Sequence, residues 1–212
     1  MQFELNEQHR MIRDMARDFA TKEIVPIAAE IDENERFPAE VVKKMGELGF
    51  MGMNVPEQYG GAGLDSLCYV LAMEEISKGC ASCGVIMSVN NSLVCWPLET
   101  YATEEQKQEW LAPLARGEKL GAYCLSEPGA GTDAAAQSTT AKKDGDDWIV
   151  NGMKNFITNG ANADILIVFA QTNPELKHKG IRAFIIPTDA DGFSVIRKED
   201  KMGIRASDTA QL

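Results

Sequence analysis

The stretch Tyr123-Cys124-Leu125-Ser126-Glu127-Pro128-Gly129-Ala130-Gly131-Thr132-Asp133 decides how the rest of the chain is read. It opens as an apolar strand, turns at Pro128-Gly129 and closes in a loop of small residues. Such a loop lets backbone N–H groups approach a phosphate closely, because the glycines put no Cβ in the way. Ser126 and Thr132 add hydroxyls, which donate and accept hydrogen bonds. Gly-Ala-Gly alone marks only a tight turn in most chains. The eleven residues together are a far more specific pattern.

Working outward, the chain changes character near residue 120. Upstream the period is helical. Asn6 caps a helix with Met11, Ile12, Met15 and Phe19 on one face. Pro38 opens a helix through Val41, Val42, Met45 and Leu48, ended by Gly49. Another helix carries Leu67, Val70, Leu71 and Ile76, and Thr103-Glu104-Glu105-Gln106 reads as a capping box. After Gly117 the period alternates. Strands are expected at Leu120–Leu125, Ser138–Lys142, Trp148–Asn151, Phe156–Ile157, Ile165–Ala170, Ala183–Ile186 and Phe193–Ile196, with a hairpin at Asp144-Gly145. The expected fold is α+β and multi-domain: an all-α domain over 1–120, then a small antiparallel β-barrel domain over 121–212.

The net charge of −11 argues against nucleic acid as a partner, since phosphate backbones need clustered Lys and Arg. No apolar run is long enough to insert in a membrane. Met1-Gln2-Phe3-Glu4 has neither a signal core nor a basic presequence, so a cytoplasmic location is expected, or a mitochondrial matrix if a presequence has been removed. Five cysteines in a chain with a full core fit free thiols in a reducing compartment. Cys80-Ala-Ser-Cys83 has redox-motif spacing, against the plainer reading of small core residues at a helix junction. No metal site is expected.

Three strings carry a family resemblance. Tyr123 to Ala136 matches the first signature of the acyl-CoA dehydrogenase flavoproteins without a mismatch. Lys154-Asn155-Phe156-Ile157-Thr158-Asn159-Gly160 is similar to the family segment that sets an aromatic and a threonine against the flavin, with Phe156 where Trp is common. Gly79 to Leu93 resembles the short-chain (butyryl) branch. The resemblance implies FAD as cofactor. Tyr123, Leu125 and Ser126 would face the flavin ring, mostly through backbone groups. Gly131 and Thr132 would meet the pyrophosphate, Thr132 also lying near the CoA. Phe156 would lie against the ring, with Ile157 beside it, and Thr158 would reach the N5 edge. Ile86, Val89, Asn90 and Leu93, at i, i+3, i+4 and i+7, would line the acyl pocket, though that stripe suits ordinary core equally.

The implied reaction is α,β-dehydrogenation of a short-chain acyl-CoA to the trans-2-enoyl-CoA, in fatty acid metabolism. Electrons would pass to an electron-transferring flavoprotein, and the enzyme would be a homotetramer. In the family a four-helix bundle bearing the catalytic glutamate follows, so the chain is expected to hold no catalytic residue and to be inactive alone. Glu74, Glu75, Glu99 and Glu127 read as structural, Glu127 as the residue that orients the signature loop. His178 and Lys179 read as solvated loop charges against a CoA contact, Arg205 and Ser207 as domain-packing residues, and His9 as a polar helix-face residue. The alternatives are a non-catalytic helix-plus-barrel binding module, or another flavoenzyme of the same fold, an acyl-CoA oxidase or a flavin monooxygenase.

Overall fold

The computed structural model describes residues 4–212, so the reading of Met1-Gln2-Phe3 lies outside the described residues. The chain divides into two compact units. One runs through Leu120 and takes back Asp200–Ser207; the other is Gly121–Glu199 with Asp208–Leu212. The returning segment falls in the second domain by sequence order. In the structure the Arg205 N–H donates to Asp32 Oδ1 at 2.9 Å, and its guanidinium to Glu35 Oε1 at 2.5 Å.

The first unit is helical: α1 Glu7–Phe19, α2 Ala28–Glu33, α3 Ala39–Glu47, α4 Ser66–Gly79, α5 Ala81–Ser88, α6 Trp96–Tyr101, α7 Glu104–Gln106 and α8 Ala112–Ala115. The expected caps are present. Asn6 accepts from the His9 N–H at 2.8 Å, and Thr103 and Gln106 form the reciprocal capping box. Three π-helical turns interrupt the α-helices, at Ala20–Ile24, Val89–Cys95 and Lys107–Leu111. Each is followed two residues later by a proline: Pro26, Pro97 and Pro113. A proline inside a continuing helix lacks the N–H for the i→i−4 bond, and its ring crowds that carbonyl. Widening the preceding turn lets the chain stay helical past it. Phe19, Ile24, Ile31, Met45, Phe50, Met51, Ile76, Cys83, Ile86 and Met87 belong to the core, where the Phe19 and Phe50 rings meet at 5.9 Å.

The second unit contains two sheets. β5 Ile165–Gln171 is central to the larger one. β1 Gly121–Cys124 lies parallel to it, with Gly121 opposite Ile165, and β6 Ile181–Pro187 pairs antiparallel on the other side. The hairpin of β2 Thr140–Asp144 and β3 Asp147–Asn151 turns at Gly145 as expected, and joins β5 only at Thr140–Gln171. The smaller sheet is β4 Ile157–Thr158, β8 Thr209–Gln211 and β7 Arg197–Lys198. The expected antiparallel barrel is therefore corrected: the sheets do not close, and the larger one is mixed. Alternation in sequence gives the local period of a strand but not its partner. A parallel pair such as β1–β5 needs a long crossover, which no short-range signal marks. Phe193–Ile196 is not a strand; the chain pairs just after it, in β7. Ala122, Cys124, Ile157, Leu166 and Val168 make the buried core of this unit.

Candidate functional site

The two strings that stand out in the sequence lie side by side. The Asn155 N–H donates to Ser126 O at 2.8 Å, and the Asn159 side-chain amide to Gly121 O at 3.1 Å. Residues 154–159 thus run antiparallel to 121–126, tied at both ends. The tie is tightened by a buried ion pair, Lys154 Nζ to Glu127 Oε1 at 2.9 Å, with side chains 5% and 2% exposed. The ammonium has three donors and uses all of them, on Leu125 O at 3.0 Å, Glu127 Oε1 and Gln137 Oε1 at 2.9 Å. The carboxylate also accepts from the Ser138 N–H at 2.6 Å, the Ser138 hydroxyl at 2.8 Å and the Thr139 N–H at 3.0 Å.

Burial alone would raise the Glu127 carboxyl, but Thr139, Lys154 and Ser138 outweigh it and hold the group at about 2. Burial also acts first on Lys154, pushing the ammonium below the ordinary lysine range while Glu127 pulls it back. Three acceptors around Nζ require the protonated amine. Glu127 therefore orients the signature loop and is not poised to move a proton. Glu75 is likewise engaged: Arg17 grips its buried carboxylate from two nitrogens at 2.9 and 3.1 Å and lowers its pKa. Neither glutamate resembles a base tuned toward neutrality.

The loop that this pair fixes presents unused polar groups. Among the described residues, the hydroxyls of Ser126, Thr132 and Thr158 meet no protein partner, nor do the N–H groups of Gly131 and Thr132. A Cβ at Gly131 would touch nothing, so the backbone there is open to a ligand. Phe156 is 63% exposed and sits at φ +57°. A bulky side chain in the left-handed region costs on the order of 1–3 kcal/mol and persists only where its surroundings fix it. Here Asn155 is pinned before it and β4 pairs after it. Asn159, also left-handed at φ +65°, ends the segment. Tyr123 lies on the face of β1 away from the core, its ring 5.0 Å from Phe169. The Ile157 side chain is 1% exposed and belongs to the core, so this residue would meet a ligand through its backbone.

In the helical unit the expected stripe does not form one accessible face. Ile86 and Asn90 are 0% exposed and Val89 is 8% exposed, whereas Leu93 is 40% exposed. Asn90 donates to Met51 O at 2.9 Å and Leu114 O at 3.3 Å, holding backbone carbonyls of the core. The π turn over Val89–Cys95 breaks the 3.6 period, so an i, i+7 pair spanning it no longer shares a face. His9 is also corrected. It is largely buried and pairs through Nε2 with Asp65 Oδ2 at 2.9 Å, beside Cys68, the three offering ligand atoms within 4.8 Å of one another. His178 and Lys179 are exposed, as expected.

Sequence reasoning missed Lys154 and Asn159, although both stand in the second string. The available signal was a lysine opening an apolar strand, which has to find a carboxylate once buried.

Residues 6–118 match the acyl-CoA dehydrogenase N-terminal domain family, and residues 122–212 the acyl-CoA dehydrogenase middle domain family. The chain is 57% identical over 209 residues to the mitochondrial short-chain specific acyl-CoA dehydrogenase of Bos taurus, covering 99% of this chain and 51% of that protein. Its fold matches the butyryl-CoA dehydrogenase of Megasphaera elsdenii with a TM-score of 0.96 at 41% identity, covering 100% of this chain and 56% of that one. It also matches a chain from the structure of the electron transferring flavoprotein of Acidaminococcus fermentans, with a TM-score of 0.98 at 48% identity and the same coverage. The chain thus spans about half the length of the relatives it matches. Among the described residues no helix is long and apolar enough to cross a membrane. With both domain families matched in order across nearly its whole length, the chain belongs to the acyl-CoA dehydrogenase family.

Proposed function

We propose that this chain supplies the flavin-holding and part of the acyl-CoA-holding surface of an FAD-dependent short-chain acyl-CoA dehydrogenase. The observation that carries the reading is the Ser126–Asn155 junction, which sets the signature loop beside an exposed, left-handed Phe156. FAD fits the residues present. The N–H groups of Gly131 and Thr132, with the Thr132 hydroxyl, suit a pyrophosphate. Phe156 offers a flat apolar face to a ring, and Ser126 and Thr158 offer hydroxyls to its polar edge. Tyr123 and Leu125 contribute through β1 and its continuation. When bound, FAD supplies the hydride acceptor for oxidation of the thioester at its α and β carbons.

The chain's own part is to bind, orient and keep its hydrogen-bond donors fixed where charge develops. Thr132 would meet CoA, and Leu93 is the member of the expected acyl-pocket set best exposed to reach a substrate. The short-chain reading is supported by identity to the bovine enzyme and likeness to the butyryl-CoA dehydrogenase. An electron-transferring flavoprotein as electron acceptor is supported by the chain in the Acidaminococcus structure. A homotetramer follows from the family resemblance alone. The test is anaerobic titration with butyryl-CoA of the complete flavin-loaded enzyme to which this chain would contribute, since the chain alone is expected to be inactive. Loss of the yellow flavin absorbance, with less response to long-chain thioesters, is expected. A flavin-containing protein that stays yellow with every thioester would overturn the reading.

A further inference from the structure

The Cys80-Ala81-Ser82-Cys83 motif sits at a corner whose geometry separates the two thiols. Cys80 ends α4 and also caps the N-terminus of α5, in extended conformation at φ −160° and ψ 119°. Both of its backbone groups are held: its N–H donates to Ile76 O at 3.0 Å, and its carbonyl accepts from the Gly84 N–H at 3.2 Å. Its side chain therefore occupies a fixed place at the mouth of α5, where first-turn N–H groups and the helix dipole favour negative charge. Cys83 lies in that first turn and is fully buried, while Cys80 is the one cysteine not fully enclosed.

We propose that Cys80 and Cys83 form a reversible dithiol–disulfide couple that exchanges with a small-molecule disulfide of the glutathione class. Cys80 is the attacking thiol and Cys83 the resolving one. The Cys80 thiolate attacks one sulfur of the small disulfide, whose S–S bond breaks and releases a thiolate that takes a proton from water. Cys83 then attacks Cys80 Sγ, the mixed disulfide breaks, and the second leaving thiolate takes the Cys83 proton. Two protein thiols are oxidised and one small disulfide is reduced to two thiols.

The acidities support this division of labour. A hydrogen bond from the Cys83 thiol, outweighing burial, lowers Cys80 to about 6, while that same bond and burial raise Cys83. Cys68 and Cys124 are pushed up chiefly by burial, Cys124 to about 12, as is Cys95. Cys80 thus departs from Cys68, Cys95 and Cys124, which behave as inert core thiols. Oxidation would tie the corner to the first turn of α5, the helix that leads into Val89 and Leu93.

The test is trapping of the purified native protein with iodoacetamide at pH 7, before and after equilibration with oxidised glutathione, followed by peptide mass mapping. Cys80 should alkylate at least about tenfold faster than Cys68, Cys95 and Cys124. Glutathione disulfide should yield a Cys80–Cys83 bridge with no retained glutathione. Cys83→Ala should stop the reaction at a Cys80–glutathione adduct, and Cys80→Ala should abolish it. A stable adduct at Cys80 in the unsubstituted protein, or no modification of either cysteine, would overturn the proposal. If Cys83→Ala fails to fold, the mapping of the unsubstituted protein decides alone.

Discussion

Lys154→Met is the perturbation whose outcome the structure fixes most closely. Methionine fills similar volume but leaves Glu127 buried with no cation and removes three donors at once. Breaking one side of a buried pair costs about 3–5 kcal/mol. An independent figure comes from titration. A carboxyl held at about 2, against an ordinary value of ~4.3, contributes roughly 3 kcal/mol that is shared by all its donors. For a chain of this size, 3–5 kcal/mol lowers the melting temperature by roughly 6–20 °C. The sign of the pH dependence follows from the depressed pKa. The Glu127 contribution is fully present above ~4.3 and is lost as pH falls toward 2. In Lys154→Met the orphaned carboxyl titrates higher, so lowering the pH from 7 to 5 should recover part of the lost stability. The assay is thermal melting at pH 7 and pH 5 of the unsubstituted protein, Lys154→Met, Glu127→Gln and the double variant. The double variant should be more stable than the two single losses added together, by more than about 1 kcal/mol. A Lys154→Met protein within about 1 kcal/mol of the parent, or strict additivity, would refute the claim that this pair latches the two strings.

Further outcomes can be checked in the complete flavin-loaded enzyme of the proposal. Thr158→Val should slow flavin reduction by butyryl-CoA about 5–150-fold, as one lost hydrogen bond of ~1–3 kcal/mol implies, and should weaken flavin retention less; stopped-flow reduction and gel filtration separate the two effects. Phe156→Gly removes left-handed strain at φ +57°, so the melting temperature of the flavin-free protein should hold or rise while flavin retention falls. Leu93→Ala should change the butyryl-to-octanoyl specificity ratio at little cost in melting temperature, whereas Asn90→Ala should lower the melting temperature and leave the ratio alone, because Asn90 is a core residue.

What could be read from sequence followed local rules. The caps at Asn6 and Thr103, the hairpin at Gly145 and the change of period after Gly117 rest on a few adjacent residues each. The two site strings were also legible, because their composition is unusual over many consecutive positions. What was lost depends on distant partners. The parallel β1–β5 pair and the open edges of the sheets are set by chain segments far apart in sequence. The stripe of Ile86, Val89, Asn90 and Leu93 is split for a local reason: a π turn precedes Pro97, and Leu93 leaves the face of Ile86. Nothing local in the sequence marks the role of Lys154, since its carboxylate partner stands 27 positions away.

The central claim is that residues 123–132 and 156–158 form one flavin-holding surface. A crystal structure of the protein with FAD tests it most directly. The flavin ring should lie against Phe156 with the Thr158 hydroxyl at its edge, and the pyrophosphate should accept from the Gly131 and Thr132 N–H groups. Bound FAD that leaves Phe156 and these N–H groups in solvent would contradict it.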